Sequence, residues 1–532
     1  MDEAFRWCER DYVYEKFCGS RRSAATYYLI AGTACRQPEF SHGTGDKWNV
    51  YIKLYFIIGD MFCRISAVLD HDTEKTGIAA GSLPCNGNAD GRSPEDDFNG
   101  TASSGMMMAK AQVETGLFFD AASLDAFEYT DRLEAVYVSS NSRFLPPEDA
   151  KKIVRESAEA LKKAGAQYYS KKIDTTLRGG IGYEIDAMLD FLGEDSMAVV
   201  VTAMPPSKRI CIGGYSIIDS VVLTETSVAN DVKTPVTECF VPDLLKSQTV
   251  YKVDYLSIKE VKQGVECLKA CMTASRAKGS RVIVVDAVSM EHIHLIAQAS
   301  VELDWKIVAV DPGPFTLELA RCRGIAKADK EKAQGGEKRE DKIALLIAGS
   351  ANPSTKRQME ILSESEISLQ QISANPKELL EGGERSQKEV LRVVKEAEAV
   401  FEAEDRPEAI LIETALHNSI VNLREEDEKH GVPEGTSSDR INSGLAEITN
   451  VLLEKYAEDK IAGLMLTGGD TMEKVCRKIG VACIKAEDNI VAQVDVGKII
   501  GRYDGMPLVV KGGFCGSEDI GIEIVRRLHS VF

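Results

Sequence analysis

Short apolar runs alternate with helical patterns along the chain from residue 96 onward. The runs in the first part of this region are Ala135–Val138, Gln167–Tyr169, Met197–Val201, Val282–Val285 and Ile307–Val310. Between them, Pro147–Ala164 and Ile258–Ala277 repeat apolar residues at helical spacing. Strands that alternate with helices predict βαβ units and a mostly parallel sheet. The stretch Cys211–Thr237 is less helical and predicts an excursion with hairpin character.

A charged segment at residues 327–342 interrupts this pattern. Eleven of its 16 residues are charged and Gly335-Gly336 lies in its middle, which is typical of a solvated linker. The alternation then resumes, with apolar runs at Ile343–Ile347, Ala409–Ile412, Ile461–Leu466 and Leu508–Val510. Between these runs, the Glu-rich residues 381–408 predict an exposed helix and residues 425–438 a polar loop. The pattern predicts an α/β protein of two domains, each a mostly parallel sheet flanked by helices.

The first 95 residues follow a different pattern. Val50–Ile58 is apolar enough for a strand and residues 83–95 read as a Gly/Asn/Asp/Pro-rich loop, but no fold is evident for the whole segment. We therefore predict an atypical N-terminal segment at 1–95, a first domain at 96–326, the linker at 327–342 and a second domain at 343–532.

Composition narrows the class of protein. The 532 residues carry 64 Lys and Arg against 83 Asp and Glu, a net charge of −19, which argues against nucleic-acid or polybasic membrane binding. No apolar run approaches the ~20 residues of a membrane span, and the Met-Asp-Glu start lacks the features of a signal peptide. The 13 dispersed cysteines form no CxxC pair and suggest free thiols in a reducing compartment. We expect a cytoplasmic protein, monomeric or homodimeric.

Three strands in the second half run directly into glycine loops. The loops are Ala348-Gly349-Ser350, Thr467-Gly468-Gly469-Asp470-Thr471 and Lys511-Gly512-Gly513-Phe514-Cys515-Gly516. Ligands of open α/β sheets bind outside the carboxyl ends of strands, where glycine lets the backbone approach a phosphate. A single loop of this kind is more often a plain turn, but three in one domain favour nucleotide binding. There is no Gly-Lys-Ser/Thr sequence of a P-loop, and Gly179–Gly182 does not form a GxGxxG motif.

Two polar clusters in the first half could carry chemistry. Residues 171–180 (KKIDTTLRGG) place three cations, a carboxylate and two hydroxyls within eight residues, which suits a small anionic, hydroxylated ligand, although a surface turn with a salt bridge would look similar. Asp96 and Asp97 precede a small-residue helix at 103–110. Such carboxylates can accept a hydroxyl proton or hold Mg²⁺, and their commoner role is a helix cap.

These residues resemble the four-carbon acid sugar kinase family, over about residues 95–532. Its Asp-Asp-Phe-Thr-Gly-Ala loop is similar to residues 96–102, and its Lys-Lys-x-Asp-Ser-Thr-Leu-Arg-Gly motif to residues 171–179. The three glycine loops fall where the family places its ATP loops. Two departures stand out. Gly512 replaces a serine of the last loop, and polar residues 85–95 stand where the family has a buried first strand. Residues 50–58 or 65–69 could replace that strand.

The resemblance implies ATP-dependent phosphorylation of a hydroxyl on a threonate, an erythronate or a 3-oxo-tetronate, with Mg²⁺. The implied catalytic residues are Asp97 and Asp174, and the implied substrate-binding residues are Asp96, Lys172, Thr176 and Arg178. Arg178 and Lys172 would hold the carboxylate, and Asp97 or Asp174 would deprotonate the hydroxyl. The implied ATP-binding residues are Ser350, Gly468, Gly469, Asp470, Thr471, Lys511, Gly513 and Gly516, with Asp470 on Mg²⁺ or the ribose. The two domains would close over an active site in the cleft between them.

Two other hypotheses stay open at this point. Because the first strand is in doubt, the chain could be an inactive paralogue that binds a nucleotide or a sugar acid as a sensor. It could also be a different α/β transferase whose glycine loops hold another phosphorylated ligand. The second domain (343–532) has 22 Lys and Arg against 33 Asp and Glu. A phosphate site there must therefore rely on backbone N–H groups, a few placed cations and Mg²⁺.

Overall fold

The computed structural model describes residues 50–58, 61–69 and 97–530, apart from 129, 232–233, 331–338, 340, 350–351 and 417–420. These described residues all belong to one compact unit. The strands of the described part are β1 (Val50–Ile58), β2 (Met61–Leu69), β3 (Thr115–Phe118), β4 (Ala135–Ser139), β5 (Tyr168–Lys172), β6 (Ser196–Val200), β7 (Arg209–Ile212), β8 (Tyr215–Ile218), β9 (Val221–Val222), β10 (Val253–Leu256), β11 (Val282–Val285), β12 (Lys306–Asp311), β13 (Ile343–Ala348), β14 (Leu369–Ser373), β15 (Ala409–Glu413), β16 (Ile461–Thr467), β17 (Val481–Val491), β18 (Val494–Gly501) and β19 (Pro507–Lys511).

Helices follow most of these strands. They are α1 (Asp97–Lys110), α2 (Ala121–Asp125), α3 (Pro147–Lys163), α4 (Ile181–Leu192), α5 (Val241–Lys246), α6 (Ile258–Val261), α7 (Val265–Ala277), α8 (Met290–Glu302), α9 (Pro314–Cys322), α10 (Pro353–Ser363), α11 (Pro376–Glu381), α12 (Gly383–Phe401), α13 (Leu423–His430), α14 (Thr436–Tyr456), α15 (Gly469–Lys478) and α16 (Ile520–His529). Short 3₁₀ turns lie at Thr130–Arg132, Pro205–Ser207, Leu223–Glu225 and Ser227–Asn230.

Sixteen of the strands form one sheet, in the order β10-β11-β6-β12-β5-β2-β1-β4-β3-β17-β18-β19-β16-β13-β15-β14. Strands β10, β11, β6, β12 and β5 are parallel to one another, as are β1, β4 and β3. Strands β19, β16, β13, β15 and β14 form a second parallel block. The prediction of a mixed α/β protein with mostly parallel sheets is confirmed. The predicted hairpin excursion is also present, as the separate sheet β7-β8-β9.

Four of the five parallel strands of the second block are buried along their whole length. Every residue of β13, β15, β16 and β19 is buried. Strands covered by helices on both faces lose water from both sides, so their sequences read as continuous apolar runs rather than alternating ones. This explains why these four strands could be predicted within one or two residues.

Strands β1 and β2 occupy the slot where the sequence lacked a first strand. Strand β1 pairs in parallel with β4, and β2 pairs antiparallel with both β1 and β5. The two candidate runs, residues 50–58 and 65–69, therefore both lie in the sheet between β4 and β5. Residues 70–96, which connect β2 to α1, lie outside the described part of the chain.

Two predictions in the second half were wrong. Residues 425–438 are not a polar loop, since α13 and the start of α14 lie there. The helix predicted at residues 381–408 is present as α12, but its predicted exposure is wrong, because one face buries Val390, Val393, Val394, Ala397 and Phe401. In α12, charged residues on the outer face masked the apolar spacing of the inner face. In α13 the buried residue is Asp427, which accepts from the amides of Gly435 and Ser437 at the start of α14. In the first half, the predicted helix at 258–277 is two helices, α6 and α7, separated at Gly264.

The antiparallel hairpin β17–β18 joins the two halves of the sheet. Strand β17 pairs with β3, and β18 pairs with β19. Two ion pairs lie along the junction, from Lys485 Nζ to Glu114 Oε2 (2.6 Å) and from Arg477 Nη2 to Asp120 Oδ2 (2.6 Å). One hydrophobic core contains residues of α1 and β3 together with residues of β13 and β16. The halves therefore share both a sheet and a core.

Candidate functional site

The first cluster lies at the carboxyl end of β5. Lys172 is the last residue of this strand and is largely buried. A β-carbon placed on Gly100, in the first turn of α1, would lie 2.7 Å from Lys172 Nζ, so the amine packs against the glycine backbone. This contact brings the start of the helix that follows Asp96-Asp97 to the end of β5. Asp96 itself, and the side chain of Asp97, lie outside the described part of the chain.

Asp174 is the centre of the charge network in the loop after β5. Its Oδ2 accepts a 2.7 Å hydrogen bond from Arg178 Nε and another from the Thr176 hydroxyl. Burial alone would raise the pKa of Asp174, but the charges of Arg143 and Arg178 and these hydrogen bonds outweigh it. The pKa of Asp174 is therefore well below its ordinary value, and the carboxylate stays ionised at physiological pH. Three of the predicted residues, Asp174, Thr176 and Arg178, form one hydrogen-bonded group.

Arg178 has donors left for a ligand. Its Nε donates to Asp174, and its Nη1 lies 3.3 Å from Oδ2 of Asp231. The other oxygen of Asp231, Oδ1, accepts from the Thr234 amide. Nη2 donates to no residue in the part of the chain that the structure describes. The side chain is 22% exposed, so a ligand can reach it. A guanidinium fixed by two carboxylates with one nitrogen left over can bind a further anion without reorganising.

The neighbouring lysine has a different position. Lys171 is fully buried and pairs with Glu184 of α4, and Glu184 also accepts from the Ser142 hydroxyl in the loop after β4. Successive residues of a strand point to opposite faces of the sheet. Lys171 therefore faces α4, whereas Lys172 faces α1.

The second cluster lies at the carboxyl ends of β13, β16 and β19, which are adjacent in the sheet. Thr471, in the first turn of α15, donates a 2.7 Å hydrogen bond to Asn442 Oδ1 of α14. A β-carbon on Gly349 would lie 2.1 Å from Thr471 Oγ1 and 3.2 Å from Asn442 Oδ1, so only glycine permits this approach. The loops that follow β13 and β16 are thus in contact. Ser350, predicted to bind ATP, lies outside the described residues.

The third loop begins at Lys511, the last residue of β19. The lysine is buried, and its Nζ donates to the carbonyl oxygens of Gly512 (2.9 Å) and Gly513 (3.5 Å). Burial lowers the pKa of the Lys511 amine to about 8. The amine thus contacts the backbone of its own loop, and Gly513 and Gly516 lie on the same loop.

This lysine gives a pH-dependent contribution to stability. An unfolded chain returns Lys511 to a pKa of about 10.4, so between pH 8 and that value the unfolded state binds more protons than the folded one. The contribution of Lys511 to the free energy of unfolding should therefore increase as the pH rises through this window. The free energy of unfolding of wild type and of Lys511→Met can be measured in urea at pH 7, 8.5 and 10. We expect the wild-type value to increase relative to the value of the variant as the pH rises. A difference independent of pH would contradict this prediction.

Asp470 could contribute to a cation site at this edge. It lies in the first turn of α15, between Gly469 and Thr471, and is partly exposed. No group of three or more His, Cys, Asp or Glu in the described residues could hold a metal by itself. A single carboxylate suits Mg²⁺, which is commonly held by one or two carboxylates together with substrate phosphates.

Sequence reasoning missed several residues of these clusters. Arg143 follows β4 in a Ser-Ser-Asn-Ser-Arg segment and packs against Gly179, where a β-carbon would lie 3.1 Å from its Cγ. A cation among hydroxyl residues at the end of a strand is a sequence signal that could have indicated Arg143 as a site residue. Asn442 lies in the middle of α14 and has no local signal, since its partner is 29 residues away.

The two clusters lie on blocks of opposite strand direction. Three successive antiparallel pairings separate β3 from β19, so the parallel strands of the two halves run in opposite senses within the sheet. The hydrogen bonds and ion pairs given above join residues within each cluster, and an active-site cleft between the halves stays a prediction.

Comparison with known families agrees with this division into halves. The model of a sugar-binding N-terminal domain matches residues 94–319, and that of a nucleotide-binding C-terminal domain matches residues 345–520. The chain is 31% identical over 435 residues to a D-erythronate kinase of Heliobacterium modesticaldum, covering 81% of this chain and 95% of the relative. The chain belongs to the four-carbon acid sugar kinase family. A D-threonate kinase of Salmonella typhimurium is 25% identical over 440 residues, covering 82% and 98% of the two chains.

A crystal structure of a Haemophilus influenzae protein shares the fold of this four-carbon acid sugar kinase family member. The TM-score is 0.63 at 22% identity, with 82% of this chain and 98% of that chain covered. Among the residues that the structure describes, no helix has the length and apolar character needed to cross a membrane.

Proposed function

We propose that the chain is an ATP-dependent kinase that phosphorylates a hydroxyl group of a four-carbon sugar acid. The observation that carries the proposal is the Arg178 guanidinium, which is anchored by two carboxylates and keeps an uncommitted nitrogen at the end of β5. A small sugar acid offers what this group would bind, a carboxylate beside several hydroxyls. This cluster lies in the half that matches a sugar-binding domain, which supports a sugar acid as the substrate.

Three cations would bind and orient the acid. Arg178 would donate from Nη2 to the carboxylate, while Arg143 and Lys172 add positive charge on either side of the loop. Asp174 would keep Arg178 in place. Positioning of this kind matters because phosphoryl transfer depends mainly on alignment and charge stabilisation.

The two candidate bases differ in suitability. A general base works best when its pKa is near the working pH, and Asp174 has a pKa well below even its ordinary value. Asp174 is therefore a poor proton acceptor and fits an orienting role. We assign the base to Asp97, because the helix that it begins packs its first turn against Lys172.

The nucleotide would occupy the second cluster. Thr471, Gly468 and Gly469 at the start of α15 and the loop after Lys511 offer backbone N–H groups and hydroxyls to phosphates. Asp470 would hold Mg²⁺, which would supply charge neutralisation to the phosphates when bound. Because residues 343–532 are acidic overall, these local donors have to carry the affinity for a polyanion.

A substrate panel tests the proposal. We expect ATP turnover with one or more of D- and L-erythronate, D- and L-threonate and 3-oxo-tetronates, and little turnover with three- or five-carbon acids. A coupled assay of ADP release measures the turnover. Asp97→Asn should lower kcat by about 100-fold or more at unchanged ATP affinity, since base catalysis contributes about 10²–10⁴-fold.

The result that would contradict the proposal is ATP binding without turnover on any acid, which would favour the sensor hypothesis. No ATP-dependent rise in Tm at all would favour a transferase with another ligand. The sensor hypothesis rests on the absence of a first strand, and β1 and β2 fill that slot in the sheet.

A further inference from the structure

The loop that follows Lys511 has its carbonyl oxygens bonded to side chains behind it. Gln358 of α10 donates from Nε2 to three of them, those of Cys515, Gly516 and Ser517, each at 3.1 Å. Thr355, one helical turn earlier, donates from Oγ1 to the Gly513 carbonyl at 2.8 Å. Lys511 Nζ contacts the carbonyls of Gly512 and Gly513. Five of the six carbonyls of residues 512–517, all except that of Phe514, are therefore bonded to side chains of the protein.

Two amides of the same loop have backbone acceptors, since Gly512 N–H donates to the Gln493 carbonyl and Cys515 N–H to the Gly512 carbonyl. No residue in the described part of the chain accepts a hydrogen bond from the N–H groups of Gly513, Phe514, Gly516 or Ser517. Gly516 and Ser517 are exposed and Gly513 is partly exposed, so these donors are accessible. Neighbouring free N–H groups in a turn are the donors from which proteins build anion sites. The first turn of α15, which follows β16, lies at the same edge of the sheet.

We propose that Thr355 and Gln358 are positioning residues that hold loop 512–517 with its N–H groups directed at the phosphates of the nucleotide. This inference rests on the proposed function for the identity of the nucleotide, but the anion site follows from the loop itself. The side chains would not touch the ligand. They would act by fixing the orientation of four peptide units, which a loop of three glycines would otherwise leave mobile.

Gln358 allows this role to be separated from a structural one. The side chain is 2% exposed, and its Oε1 is buried without a hydrogen-bond partner. Methionine has a similar shape and removes both the donors to the loop and this unsatisfied acceptor. Gln358→Met should therefore leave the melting temperature near the wild-type value while releasing the loop. Thr355→Val removes the second donor at nearly constant volume.

The experiment compares Thr355→Val/Gln358→Met with wild type and with Gln370→Met, the same replacement at an exposed position of β14. We expect the double variant to raise KM for ATP and the Kd for ADP by about 10-fold or more, with KM for the sugar acid and the affinity for adenosine unchanged. Gln358→Glu places a carboxylate against three carbonyl oxygens, and we expect it to bind ATP and ADP at least as weakly as the double variant does. The Gln370→Met control should match wild type throughout.

Outcomes separate this inference from the proposed function. Wild-type ATP and ADP affinity in the double variant, with turnover intact, would overturn the inference and leave the kinase proposal standing. If wild type neither binds ATP nor phosphorylates any acid, the proposed function fails, and inorganic pyrophosphate becomes the probe. Loss of pyrophosphate binding in the double variant would then still support the anion site, and no pyrophosphate binding by wild type would overturn it.

Discussion

Replacing Arg178 by alanine is expected to lower kcat/KM for the sugar acid by about 100-fold and to leave the affinity for ATP near the wild-type value. A factor of 100 corresponds to about 2.7 kcal/mol of transition-state stabilisation, within the range for a lost hydrogen bond between charged groups. Steady-state kinetics with the acid and ATP varied separately measures both quantities.

A conservative variant and a surface control sharpen this prediction. Arg178→Lys keeps the charge but not the planar fork, so it cannot satisfy Asp174, Asp231 and a ligand at once, and we expect only partial recovery. Arg155→Ala removes a guanidinium from the exposed side of α3, where it pairs with Glu159, and should behave as wild type. An equal loss of affinity for ATP and for the acid in Arg178→Ala would contradict the division into two sites.

Much of the fold was predictable because burial leaves a strong trace in the sequence. Parallel strands covered on both faces must be apolar throughout, so β13, β15, β16 and β19 stood out. The hairpin β17–β18 left a weaker trace. Residues 486–498 (AEDNIVAQVDVGK) mix charged and apolar positions, because the outer part of the hairpin is only partly covered. Yet this hairpin joins the two halves of the sheet.

The candidate site was predictable where a motif is contiguous and not where contacts are long-range. Asp174, Thr176 and Arg178 lie within five residues, and local spacing indicated their association. Thr355 and Gln358 reach a loop about 160 residues away, and nothing in the helical pattern of α10 distinguishes these side chains from packing residues. Such contacts depend on the order of β13, β16 and β19 in the sheet, which sequence periodicity does not specify.

The adjacent lysines 171 and 172 show the same limit at close range. Both belong to the motif and both are buried in the structure, and local spacing alone does not distinguish them. The alternation of β5 sends them to opposite faces, where Lys171 meets a carboxylate of α4 and Lys172 meets the backbone of α1. A motif of contiguous residues can thus contain one lysine for the ligand and one for the fold.

This difference gives the second large effect, which is on stability. Lys171→Met is expected to lower the free energy of unfolding by about 3–5 kcal/mol, because it leaves the Glu184 carboxylate buried without its cation. Against a typical total of about 5–15 kcal/mol, that loss would show as a fall in urea midpoint and in Tm. Lys172→Met should instead impair the sugar acid step, with a smaller change in stability.

The double variant Lys171→Met/Glu184→Gln decides whether the charge pair is the cause. Glutamine still accepts from the Ser142 hydroxyl but carries no charge, so we expect the double variant to regain at least half of the loss. In a double-mutant cycle, this appears as a coupling energy of about 2–3 kcal/mol between positions 171 and 184. Additive single effects would mean that Lys171 stabilises the fold through packing of its aliphatic stem. In that case the charge pair would not explain why a fully buried lysine lies beside the lysine proposed to bind substrate.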